Sequence, residues 1–230
     1  MCRHSLNLTG SAIENINNGL EVYASGAGVL DITVILDDND FNDLSNNLIT
    51  LGVEQSTVLT AWFTNNIINE TDSNDITVPS NGSSPALRPS AAVLIDNNII
   101  IRFNLFGIEA NAAGGTASHE ATIANNVVNT PGQFSAHGIR AQSGWGIADG
   151  TNLFCLKVSS NDVTNLALDE SVQLEQFACT TLQLQGFTRD GTSKTGVEAS
   201  PTANNILNHD TNVRTAGRIV DFKAGTCLTL

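Results

Sequence analysis

Asn66-Ile67-Ile68 and Asn98-Ile99-Ile100 are one short phrase written twice, and three further versions share its pattern: Asn39-Asp40-Phe41, Asn126-Val127-Val128 and Asn161-Asp162-Val163. In chain order the five asparagines lie 27, 32, 28 and 35 residues apart. A loose repeat of that length marks a stacked solenoid, in which each coil buries its apolar face against its neighbours. Asparagine tolerates left-handed backbone and so turns the chain between strands. Its carboxamide both donates and accepts, so the same position on successive coils can form a ladder along the axis. Asn-rich turns occur in any β protein, but the apolar residues placed directly after each of these five favour the ladder.

A second mark interleaves with the first: Gly19-Leu20-Glu21, Gly52-Val53-Glu54, Gly107-Ile108-Glu109, Gly138-Ile139-Arg140 and Gly196-Val197-Glu198. Between the marks lie short apolar runs at 29–36, 56–63, 91–95, 121–124 and 153–158. These runs are too short for helices and rich in Val, Ile and Thr, so they read as strands. One repeat is therefore strand, Asn turn, strand, loop and Gly-led strand. Period-2 alternation then turns the Ile of Gly-Ile-Glu inward and the Glu outward.

Composition agrees with an all-β chain. Of its 230 residues 41% are hydrophobic but only 5% aromatic, which suits a narrow coil interior filled by small and β-branched side chains. One large β domain is the expected organisation at this length. The net charge of −13 serves solubility first and attracts cations second. Ten Lys and Arg, scattered and without aromatic interleaving, argue against nucleic acid. No stretch approaches the roughly 18 apolar residues of a membrane helix, so no membrane insertion of this segment is expected. Met1-Cys2-Arg3-His4 leads straight into repeat-like sequence with neither a signal peptide nor a cap for the first strand. The chain thus reads as part of a longer exported protein, with earlier coils upstream.

Residues 1–165 are read as the coils and 166–230 as C-terminal strands that cap the same domain. The segment from Thr71 to Pro89 breaks the rhythm and reads as a long projecting loop. From about 166 the pattern becomes strictly alternating, as in Val172-Gln173-Leu174-Glu175-Gln176 and Leu182-Gln183-Leu184-Gln185, which indicates half-buried strands. Cys2, Cys155, Cys179 and Cys227 contain no CxxC pair and no zinc spacing. Such spacing suits an oxidising exterior, with one disulfide among the last three.

The stretch Phe154-Cys155-Leu156-Lys157-Val158-Ser159-Ser160-Asn161-Asp162-Val163-Thr164, with the two alternating strands that follow, resembles the C-terminal part of large bacterial secreted or cell-surface proteins carrying right-handed parallel β-helix repeats. The resemblance spans about residues 11–227 and is most specific over 153–187. It implies a right-handed parallel β-helix, an extracellular or cell-surface location and a disulfide between Cys155 and Cys227. Cys179 departs from the pattern and competes for either partner.

Candidate sites are few. Asp37, Asp38, Asp40 and Asp43 crowd one turn and form the best cation candidate, with Ca²⁺ the ion such oxygens would take, although an Asp-rich turn is also an ordinary solvated corner. No other cofactor is called for. Stacking in register would bring Glu21 near Glu54 and Glu109 near Arg140. The first is a carboxylate pair of the kind glycoside hydrolysis uses; the second is an ordinary ion pair. His119 and His137, with Glu109, Glu120 and Arg140 nearby in sequence, sketch a base and its orienting acid, but no nucleophile motif accompanies them. Of the aromatic residues, Tyr23 could stack on a sugar ring if outward-facing. Trp62 lies inside an apolar run and reads as core, whereas Trp145, between two glycines, reads as a ligand-binding residue. Ordered Thr-x-Thr ranks are absent, which removes an ice-binding surface. The expected function is a non-enzymatic stalk or adhesive module whose partners are extracellular glycans or other surface proteins. The alternative is a polysaccharide lyase or glycoside hydrolase using acids on one face.

Overall fold

A computed structural model describes residues 2–16, 19–24, 30–44, 48–71, 75–81, 89–113, 116–129, 132, 137–144, 152–163, 172–177, 180–185, 211–216 and 222–225. These residues form twenty-one strands, β1 to β21 in chain order, and no helix. With no helix there is none long and apolar enough to cross a membrane among the described residues.

The strands fall into three parallel sheets, visited in turn by each coil. Sheet A holds β1 (Cys2–Thr9), β4 (Leu30–Asp37), β7 (Val58–Thr64), β10 (Ser90–Asp96), β13 (Ser118–Ala124), β16 (Leu153–Ser159), β19 (Thr181–Gln185) and β21 (Phe222–Gly225). Sheet B holds the short strands β2 (Ala12–Ile16), β5 (Asp40–Leu44), β8 (Ile67–Thr71), β11 (Ile99–Ile101), β14 (Val127–Asn129) and β17 (Asp162–Val163). Sheet C holds β3 (Leu20–Ala24), β6 (Ile49–Glu54), β9 (Ile76–Asn81), β12 (Phe106–Ala113), β15 (His137–Ser143), β18 (Val172–Phe177) and β20 (Thr211–Ala216). The molecule is a parallel β-helix, the architecture expected from the repeat.

Aliphatic columns run along its axis. Ile49, Ile76, Ile108, Ile139 and Val172 stack on sheet C, and Phe41, Ile68, Ile100, Val128 and Val163 on sheet B, all buried. Each inward strand position meets its equivalent about 4.8 Å away, so one side chain's apolar surface is covered by the next coil's.

The turn from sheet A to sheet B takes two residues, and the asparagine phrase builds it. The first residue of each turn is left-handed: Asp38, Asn65, Asn97, Asn125 and Ser160 all have φ between 55° and 60°. The second is the buried ladder residue. The amide N–H of Asn39 donates to Asn66 Oδ1 at 3.1 Å, Asn66 to Asn98 at 3.0 Å, Asn98 to Asn126 at 3.0 Å and Asn126 to Asn161 at 3.0 Å. Each carboxamide N–H also donates to that same oxygen and to a main-chain carbonyl of the preceding coil, as Asn66 does to Leu36 O. Buried turn amides are thereby satisfied without solvent. Ser11 stands in the same place in the first coil and donates its N–H to Asn39 Oδ1.

The alternating segment beyond residue 166 shows no change of plan in its described strands. β18 and β19 continue sheets C and A in parallel register with β15 and β16. β19 alternates between buried and partly exposed residues as expected, whereas five of the six residues of β18 are buried.

Candidate functional site

Two outward faces carry side chains able to do chemistry. On sheet C, parallel register places Glu109 beside Arg140 and Arg140 beside Gln173, while the next outward column carries Asn111, Gln142 and Glu175. Arg140 joins both acids, with Nη1 3.6 Å from Glu109 Oε1 and Nη2 3.1 Å from Glu175 Oε2. Gln142 donates to the same Glu175 oxygen. The guanidinium also lies 4.8 Å from the centre of the Phe106 ring, which stacks in parallel on His137 at 5.9 Å. This patch is largely buried: 20% of the Arg140 side chain is exposed, and 13% and 10% of those of Glu109 and Glu175. Burial pushes the Glu109 carboxyl above its ordinary range, Arg140 pulls it back, and Glu175 adds to the rise. The arrangement therefore sets two acids around one fixed cation, with burial favouring the neutral form of Glu109 and Arg140 opposing it. Arg140 Nε and Asn111 Oδ1 have no hydrogen-bond partner.

On sheet A the outward column is Ile35, Trp62 and Leu94 on β4, β7 and β10. Trp62 is thus not a core residue. In β7 the inward positions are Leu59, Ala61 and Phe63, and alternation turns the indole out, where it is half-buried between its two aliphatic neighbours. Thr33 and Thr60 pair in the adjacent outward column. A hollow of about 330 Å³ opens there, lined in part by Arg3, Asp31, Thr33, Val58 and Thr60. Arg3 and Asp31 form an exposed ion pair at its rim, 3.5 Å apart.

Of the acids the sequence offered, Asp38 and Asp40 line one hollow of about 260 Å³ beside Asn39 and Asn65. Asp37 ends β4 and accepts from Thr64 Oγ1 at 2.6 Å and Asn65 Nδ2 at 2.7 Å, which hold its carboxyl below the usual range. Asp38 occupies the left-handed corner, Asp40 opens β5 and accepts from Asn42, and Asp43 is exposed with φ 54°. Among the described residues no three His, Cys, Asp or Glu groups gather closely enough to hold a metal ion.

Glu21 and Glu54 are not stacked, because Glu21 pairs in register with Thr50 and Glu54 with Asn81. The phase slips because Gly52 is not the equivalent of Gly19: Gly52 lies beneath the ring of Tyr23, where a Cβ would come within 2.4 Å of Cδ2. Tyr23 instead pairs with Glu54, and Glu21 acts on it through its charge. Its hydroxyl bonds to Glu54 and is pushed up to about 12, chiefly by that hydrogen bond.

His119 points into the coil and is fully buried against Phe154, at 4.8 Å between ring centres. It cannot serve an external substrate. His137 is buried too, under Phe106. Cys155 is half of a disulfide. Cys179, Cys227 and Trp145 lie outside the described residues, as do residues 82–88, while Ile76–Asn81, read from sequence as part of a projecting loop, is strand β9 of sheet C. Glu175 and Phe106, which complete the Arg140 cluster, were not singled out from sequence, and only the strand register reveals them. No protein-family model, curated protein or solved structure matches this chain.

Proposed function

We propose that this chain is a rigid module of an extracellular or cell-surface protein, acting as a stalk or an adhesive surface toward glycans or other surface proteins. The observation behind this reading is the continuous stack itself. Asparagines from five coils bond in unbroken sequence, while at the acidic corner Asp37 is engaged by Thr64 and Asp40 by Asn42. A long, stiff face with mixed apolar and hydroxyl columns suits display and adhesion. The resemblance to β-helical repeats of bacterial surface proteins supports the same location. A second reading, a carbohydrate-active enzyme, is favoured by one feature: the Glu109–Arg140–Glu175 cluster with its raised carboxyl and its two unpartnered polar atoms.

The test incubates purified protein with acidic and neutral polysaccharides, with Ca²⁺ or with a chelator, and scores retention and chain cleavage. Retention without cleavage is the expected result. Cleavage that is lost on replacing Glu109 or Glu175 by Gln would establish the enzyme instead.

A further inference from the structure

We propose that the outer face of sheet A around Trp62 is a binding platform for a neutral polysaccharide, with one pyranose ring stacked on the indole. The inference rests on the adhesive reading and gives it a location and a ligand class.

A pyranose has an apolar C–H face and a rim of hydroxyls, so its receptor needs a flat aromatic surface beside groups that donate and accept. Both are present here. Trp62 faces outward between Ile35 and Leu94, which carry the apolar strip one coil to each side. Outward positions on one strand repeat about every 7 Å, so the hydroxyl of Thr60 stands beside the indole, with Thr33 next to it on the neighbouring coil. Further along the same direction, Asp31 and Arg3 set an acceptor beside a donor at the rim of the hollow. That pairing matches a vicinal diol, which gives one hydrogen bond and takes another. Few polar groups placed around an aromatic surface are the usual make-up of a specific small-ligand site. An exposed ion pair adds little to folding, so its side chains are available to a ligand.

Charge selects the class. On the far side of the apolar strip the outward column carries Asp37, Thr64 and Asp96, and the chain as a whole carries −13. Asp37 and Asp96 on the far flank repel a polyuronate, and Asp31 on the near one already matches Arg3, which leaves a neutral glycan as the occupant. Coils repeat about every 4.8 Å, so a sugar chain running along the axis sets the neighbours of the stacked ring over Ile35 and Leu94.

The test measures retention of the full chain on cellulose, chitin, an insoluble β-1,3-glucan and polygalacturonate. It compares wild type with Trp62→Ala, Trp62→Phe, Arg3→Ala and Trp145→Ala, each checked by circular dichroism and thermal melting. Wild type is expected to bind at least one neutral polymer and not polygalacturonate. Trp62→Ala should weaken binding about tenfold, the size of one lost aromatic contact. Trp62→Phe should keep part of the affinity, Arg3→Ala should lower it with the fold intact, and Trp145→Ala should leave it unchanged. Undiminished binding by Trp62→Ala, or loss confined to Trp145→Ala, overturns the platform while sparing the adhesive reading. Retention on polygalacturonate alone overturns the ligand class. Wild type bound to none of the four removes the glycan-binding reading, and the platform with it.

Discussion

Asn98 sits mid-ladder, and its carboxamide works in two directions. Its Oδ1 accepts from both the main-chain and side-chain N–H groups of Asn66, while its own Nδ2 donates to Phe63 O and Asn126 Oδ1. Asn98→Ala strands a buried amide and leaves a carbonyl short of a donor, so urea denaturation should show a loss of about 2–4 kcal/mol. Asn97, its exposed neighbour with φ 56°, is the contrast. Asn97→Gly keeps the left-handed corner and should stay within about 0.5 kcal/mol of wild type. His119 sets a pH dependence. Its Nδ1 lies 3.1 Å from Ser80 Oγ and 3.3 Å from Asn111 O, while Nε2 has no hydrogen-bond partner. Burial drives its pKa down from 6.5 to about 4, the Asn111 carbonyl opposing. Because the folded pKa is depressed, the unfolded chain binds the extra proton between those values. Stability from this residue is complete above pH 6.5 and falls as pH drops toward about 4, by roughly 3 kcal/mol in all. Denaturation midpoints taken from pH 7.5 to 4 should show that slope, and His119→Gln should flatten it.

At the scale of the strand, register rather than sequence proximity decides which groups meet. β12, β15 and β18 bring Glu109, Arg140 and Glu175 together from positions 31 and 35 residues apart. Arg140→Ala leaves two buried carboxylates facing each other and should cost about 3 kcal/mol near pH 8. Without Arg140 to pull it back, the Glu109 carboxyl rises further, the native state binds its proton more readily, and the loss should shrink as pH falls toward 5; urea titrations of the variant at both values check this. The asparagine turn and the strands flanking it were legible because their chemistry is local: a left-handed residue, a carboxamide and two apolar residues in one phrase. Trp62 was misplaced for a physical reason. In β4, β7 and β10 the outward column is apolar as well, through Ile35, Trp62 and Leu94, so the hydrophobic run does not reveal its own alternation. The Gly mark failed in a different way. Gly107 and Gly138 share one phase, where a Cβ on Gly107 would come within 2.8 Å of Gly138 O, but Gly52 makes room for a tyrosine ring instead. Loop lengths that vary between coils hide that distinction until the strands are paired.

Across the whole molecule, the strands described pair each with its equivalents in the adjacent coils, so a covalent tie counts for more than in a globular core. Cys155, buried on an outward position of β16, belongs to a disulfide. Reduction, or Cys155→Ser, should lower stability by about 2–4 kcal/mol, read as a shift in thermal midpoint with and without dithiothreitol. Peptide mapping without reductant identifies the other half, and a fragment joined to Cys227 is the outcome the β-helical resemblance implies. The asparagine ladder carries one last consequence. From Asn39 to Asn126 each carboxamide gives one proton to the next asparagine's Oδ1 and the other to a main-chain carbonyl of the coil before. The stack therefore has a polarity, like a row of arrows laid head to tail. A coil set within the ladder has to accept from the asparagine before it and donate to the one after it, so the same coil cannot be added upside down.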